Sequence, residues 1–115
     1  MTIGNDSTLP PETSPHWYEI INAQSGNDTS LQLSLTVRRN DSVVLQHDET
    51  LPAESYLRID AYRVGNYTLE IEPADGRSRT FDVSAAFDCN VRLFGIALRP
   101  DGEWSTRERA EMQSC

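Results

Sequence analysis

The sequence predicts an all-β domain, an antiparallel two-sheet sandwich of seven to eight strands. Its apolar residues recur with a period of two, and clusters of Gly, Asn and Asp separate the alternating runs. No connection is long enough to hold the helix that a parallel crossover normally uses.

Residues 1–15 are rich in Pro, Ser, Thr and acids, a composition that buries too little apolar surface to order itself, and are expected to be a flexible tether. The β-sandwich domain is expected over 16–115. A first strand is placed near 17–24. Leu31, Leu33, Leu35 and Val37 then alternate with Gln32, Ser34, Thr36 and Arg38, giving a strand over 31–38 with one face in the core and one in water. Further strands follow near 42–47, 55–63 and 66–72, the last carried by Tyr67, Leu69 and Ile71. Another spans 78–85, carried by Phe81, Val83 and Ala85. Ser25-Gly26-Asn27-Asp28, Arg39-Asn40-Asp41, Gly65-Asn66, Ala74-Asp75-Gly76 and Pro100-Asp101-Gly102 supply the turns.

In the strand near 90–98 the phase slips, with Val91 and Leu93 opposite to Ile96 and Leu98. A bulge at Phe94-Gly95 would reset it; burial on both faces is the alternative. Beyond Gly102, Ser105 and Glu108 fit a helix capping box, yet the segment suits a polar edge strand returning along 90–98, and the strand is preferred.

The ten basic residues are all Arg, set against eighteen Asp and Glu, for a net charge of −8. Multimolar salt shortens the Debye length to about 3 Å or less, which screens the self-repulsion of such a surface. Lysine, with its long apolar stem, is the basic residue that this solvent disfavours. The composition therefore predicts salt adaptation. The Arg residues are scattered among carboxylates and form no basic stripe, which argues against nucleic-acid binding. Hydrophobic residues make up 37% and never run long enough to span a bilayer as a helix.

Cys89 stands twelve residues before Asp101 and Cys115 thirteen after Gly102, nearly opposite each other if the chain reverses there. A disulfide between them would be worth about 3 to 4 kcal/mol and would point to an oxidising, extracellular setting. Two free thiols, or a metal site drawing on Cys89, Cys115, His16, His47 and Met112, are the rivals; the spacing fits neither zinc nor blue copper. Four of the six asparagines open Asn-x-Ser/Thr sequons, at Asn5, Asn27, Asn40 and Asn66, as expected of a glycosylated exported protein. Met1 to Asp6 have neither the basic region nor the apolar stretch of a signal peptide, so either the protein is cytosolic or a targeting segment has been removed from the precursor.

The chain has no Gly-x-Ser-x-Gly, Gly-rich phosphate loop or His-Glu-x-x-His, and its two His stand apart, His16 at the end of the tether and His47 beside Asp48-Glu49. No enzyme activity and no cofactor are expected. Tyr56, Arg58, Asp60 and Tyr62 alternate with Leu57, Ile59 and Ala61. If the apolar set faces the core, the polar-aromatic set forms an exposed stripe and is the candidate contact surface.

Leu31-Gln-Leu-Ser-Leu-Thr-Val37, Leu51-Pro52, Gly65-Asn-Tyr-Thr-Leu-Glu-Ile71 and Asp75-Gly76 leading to Phe81-Asp-Val83 cover about half the chain. This run resembles immunoglobulin-like and fibronectin-like sandwich modules of secreted proteins and lipoproteins of halophilic archaea. The resemblance implies an immunoglobulin-like sandwich in which the Cys89 and Cys115 pair replaces the inter-sheet disulfide of antibody domains. It assigns no activity. Taken together, the residues suggest an adhesion, assembly or protein-interaction module at the cell surface, with another protein or cell-surface component as partner and membrane anchoring possible only through a longer precursor. A small-ligand or carbohydrate-binding sandwich is the alternative, and a metalloprotein or hydrolase a distant third.

Overall fold

The computed structural model describes residues 1–5, 9–10, 13–24, 30–74, 76–84 and 86–112. They form nine strands and no helix: β1 (Thr2–Ile3), β2 (His16–Asn22), β3 (Leu31–Arg39), β4 (Ser42–Leu51), β5 (Tyr56–Ala61), β6 (Tyr67–Pro73), β7 (Arg79–Asp82), β8 (Asn90–Leu98) and β9 (Trp104–Met112). A larger sheet has the order β1-β5-β2-β8-β9 and a smaller one the order β4-β3-β6-β7. The all-β, two-sheet architecture is therefore as expected, with one more strand.

One core lies between the sheets. The smaller sheet contributes Leu31, Leu33, Leu35 and Val37 from β3 and Tyr67, Leu69 and Ile71 from β6; the larger contributes Tyr18, Ile20, Ile59, Ala61 and Ile96. Each set follows the period of two, because alternate Cβ atoms of a strand point to opposite faces. Tyr67 opens β6 where the chain crosses from one sheet to the other. Its hydroxyl donates to the Arg63 carbonyl at 2.7 Å and its ring lies 5.5 Å from that of Tyr18. Burial pushes the pKa of both hydroxyls up, so they remain protonated donors.

Asn40 (φ 50°) and Asp41 (φ 69°) form the two-residue turn between β3 and β4, with the paired positive φ angles that suit strand twist. Just beyond it Val37 pairs with Leu45 but Arg38 with Val43, leaving Val44 as the extra residue of a bulge.

The structure corrects four expectations. Thr2 and Ile3, placed in the tether, pair with Asp60 and Ala61, and Ile3 is buried, because an apolar side chain beside an open edge of β5 finds core to fill. The sheets are not purely antiparallel: β1 runs parallel to β5, and β2 to β8 from His16↔Arg92 to Asn22↔Leu98. The link between β2 and β8 is the whole of β3 to β7, so no crossover helix is needed. The bulge at Phe94-Gly95 does not occur, since β8 pairs without a break from Asn90↔Met112 to Leu98↔Trp104. Phe94, Ile96 and Leu98 face the core, and Val91 and Leu93 lie half-buried on the outer face of an interior strand. Finally, β4 runs to Leu51, four residues past the expected end at 47. The segment after Gly102 is a strand, as preferred, and its capping-box pattern is overridden by pairing along all of β8.

Candidate functional site

Interior strands of the larger sheet put a regular grid of side chains on its outer face. In one row Asp60, Trp17, Leu93 and Arg109 lie side by side; in the next, Arg58, Glu19, Gly95 and Arg107; in the third, Tyr56, Ile21, Ala97 and Ser105. The expected stripe is thus one flank of a wider surface. Ile59 and Ala61 are in the core and Tyr56 is 58% exposed, the division that the alternation predicts. Arg58 reaches back across β2, its guanidinium 4.2 Å from the centre of the Trp17 ring while its Nε donates to Asp60 Oδ1 at 2.7 Å. Tyr62 follows the end of β5, is half-buried, and donates its backbone N–H to the Ile3 carbonyl at 2.8 Å.

At the centre of the face lies a groove of about 510 Å³, walled by Glu19, Ile21 and Ala23 on one side and Ser105 and Arg107 on the other. Leu93, Gly95 and Ala97 form its floor. Gly95 opens it, because this position of the face has no side chain between Glu19 and Arg107.

The smaller sheet presents a different outer face. Asp48, Ser34 and Glu72 form one row, Gln46, Thr36, Glu70 and Thr80 the next. Ser34 Oγ donates to Asp48 Oδ1 at 2.7 Å, and Arg38 Nη1 stands 3.5 Å from Glu70 Oε2. These are hydroxyls, amides and acids of a solvated surface; the exposed Val43 and Val44 near the turn are the apolar departures.

A second constellation sits where β2 begins. His16 is 1% exposed and stacks on Phe87 with ring centres 3.6 Å apart and nearly parallel. Its Nδ1 is 3.4 Å from the Tyr18 hydroxyl, while Nε2 lacks a well-formed hydrogen bond. Burial, helped by the positive charge of Arg92, lowers its pKa from 6.5 to about 4 against opposing pulls from the Ala86 backbone and Asp88. Asp88 is itself held below the usual carboxylate range, first by the Asn90 N–H and then by Arg92. His47 is elsewhere, half-exposed on β4, with Nε2 2.6 Å from Glu49 Oε2. Among the described residues no group of three or more His, Cys, Asp or Glu is placed to hold a metal ion. No helix there is long and apolar enough to cross a membrane.

Cys89 is half-buried, and its carbonyl accepts the Ser14 hydroxyl at 3.0 Å. Cys115, and with it the Cys89 and Cys115 pairing, lies outside the described residues; the last described pair of the hairpin is Asn90↔Met112. Of the sequons, Asn27 also lies outside the described residues and Asn5 is exposed. Asn40 and Asn66 adjoin: the Asn40 N–H donates to the Asn66 carbonyl, and the Asn66 N–H to Asn40 Oδ1, each at 2.9 Å.

The sequence pointed to the β5 flank of the outer face and to Trp17 as an aromatic that such a face could use, and missed Glu19, Ile21, Leu93 and Arg107. Ile20-Ile21 breaks the alternation of β2, and the parallel pairing that brings β8 beside it leaves no local mark. A comparison with known protein families found no matching model, and one with curated proteins found no match.

Proposed function

We propose that this chain is a salt-adapted interaction module, without catalytic activity, displayed outside the cell, and that it binds another protein or cell-surface component through the outer face of its larger sheet. The contrast between the two outer faces carries this reading. One offers half-exposed Trp17, Ile21, Leu93 and Ala97 across its middle, with Tyr56 beside them; the middle of the other is hydroxyl, amide, acid and Arg38, its exposed Val43 and Val44 standing at one end beside the turn. A soluble domain gains nothing by leaving apolar side chains half-covered along a sheet face unless something covers them. A protein partner fits better than a sugar, because Arg58 occupies the Trp17 ring and Trp104 packs toward Phe81 at 6.1 Å, so neither tryptophan offers an open platform.

Three features support an immunoglobulin-like reading of the sandwich. The order β4-β3-β6-β7 follows C′-C-F-G, and the β2–β5 pair follows B–E. Tyr67, at the start of the strand in the F position, bonds back to Arg63 as the tyrosine of an E–F corner does. The departure is β8, which lies beside β2 where strand A would be. The lysine-free, acidic composition supports salt adaptation. Cys89, Cys115 and the four sequons support an extracellular setting.

The test is a photo-crosslinking residue in place of Tyr56 and, as control, in place of Glu72 on the opposite face, with the protein added to surface material of its source cells at their own salt concentration. Protein adducts are expected at position 56 and not at 72; equal labelling, or none, refutes the proposal.

A further inference from the structure

We infer that the outer face of the larger sheet docks on the same face of a second copy of this chain, about a two-fold axis that lies in the interface parallel to the strands. This inference rests on the proposed function and names its partner.

The argument is charge complementarity under that symmetry. Such an axis, running between β2 and β8, sets the β5 flank of one copy against the β9 flank of the other and opposes β2 to β8. Trp17 then meets Leu93, Ile21 meets Ala97, and the reverse contacts repeat across the axis. Across the axis Asp60 faces Arg109 and Arg58 faces Arg107, so the match of charge turns on where Arg58 is held. Glu19 and Asp60 stand on the β2 and β5 side, and Arg107 and Arg109, both exposed, on β9. Arg58 is drawn to Asp60 and the Trp17 ring, which leaves Glu19 to meet Arg107 of the other copy. Gly95 is the position opposite Glu19, and its missing side chain provides the groove that the incoming carboxylate needs. A Cβ there would have only ordinary contacts, 3.7 Å to Ile21 Cδ1 and 3.8 Å to the Arg107 carbonyl, so nothing inside the domain demands glycine.

Area sets the strength. Four strands about 4.8 Å apart and about seven residues long give a face of roughly 450 Å², or about 900 Å² for the pair, at the low end of specific interfaces. The dimer is therefore weak and reversible.

Sedimentation equilibrium from micromolar to millimolar chain, at low and at multimolar NaCl, tests this. At low NaCl, Glu19→Arg and Arg107→Glu are each expected to weaken the dimer about tenfold or more, since symmetry doubles each like-charge encounter, and less at multimolar NaCl, where charge is screened. The double variant Glu19→Arg/Arg107→Glu is expected to restore it. Because a β2 variant could impair folding, methyl NMR shifts of the unaltered protein are followed with concentration. Ile21, Leu93 and Ala97 are expected to move while Leu45 on β4 does not. A chain still monomeric at millimolar concentration in both salts, a dimer indifferent to the charge swap, or shifts confined to β4 overturns the inference. If the chain is monomeric and Tyr56 still crosslinks to a different protein, the functional reading survives; with neither result, both fall.

Discussion

Lowering the pH from 7 to 4 is expected to destabilise the domain through His16. In the folded chain its imidazole is pressed between Phe87 and Tyr18 with Arg92 nearby, which holds its pKa at about 4, whereas the unfolded chain titrates near 6.5. The folded value is the depressed one, so the unfolded state binds the extra proton. The contribution is complete above pH 6.5 and is lost as the pH falls through 4. The gap corresponds to about 3 kcal/mol, or about 2 kcal/mol after allowance for solvent screening at the end of the sandwich. That is a large share of the stability of a domain this size. Urea titrations followed by tryptophan fluorescence at pH 7, 6, 5 and 4 measure it, with His16→Phe as the comparison. The variant keeps a ring against Phe87 and has nothing to protonate, so its stability should fall by about 2 kcal/mol less over this range. Asp82 and Asp88, both held low, act mainly below the window; Asp82 affects the two proteins alike, and the variant removes from Asp88 only the last and smallest of its causes, the His16 charge. Parallel curves for wild type and variant would refute the reasoning, as would an imidazole titrating near 6.5 by NMR.

Other expectations test other links. Tyr67→Phe removes the 2.7 Å bond to the Arg63 carbonyl and should cost about 1 to 2 kcal/mol in thermal or urea denaturation, more than Tyr18→Phe, whose hydroxyl has a 3.4 Å contact with His16. Gly65→Ala places a Cβ 3.0 Å from Arg39 Cγ and Nε and 3.2 Å from Asn40 Oδ1. It should destabilise by about 1 to 3 kcal/mol, with loss of NMR signatures of the Asn40 and Asn66 contact. Cys115→Ser should lower stability by about 3 to 4 kcal/mol under oxidising conditions and by little in reductant, with intact mass reporting whether a bond to Cys89 had formed.

How much of this was legible depended on whether water lies on one side of a strand or on both. β3 and β6 have core beneath and solvent above, so Leu31 to Val37 and Tyr67 to Ile71 carry the alternation openly. The division of β5 into Tyr56 and Arg58 against Ile59 and Ala61 was readable for the same reason. The far half of β4 was not, because His47, Asp48, Glu49 and Thr50 belong to an edge strand that takes polar residues on both faces before ending in the buried Leu51, and such a run resembles a loop. β8 was misread from the opposite cause. Enclosed by β2 and β9, it keeps apolar residues on both faces, and the phase slip suggested a bulge. The partnership of Trp17 with Leu93 joins residues that no window of sequence holds together.

The parallel seam between β2 and β8 also sets an order of events during synthesis. β2 leaves the ribosome long before β8 and can acquire this neighbour only after Leu98 has followed it. Until then Ile20 and Tyr18 have part of their cover missing, and closing so long a loop is slow compared with forming a local hairpin. Late closure would make truncation before β8 far more damaging than the number of residues removed suggests.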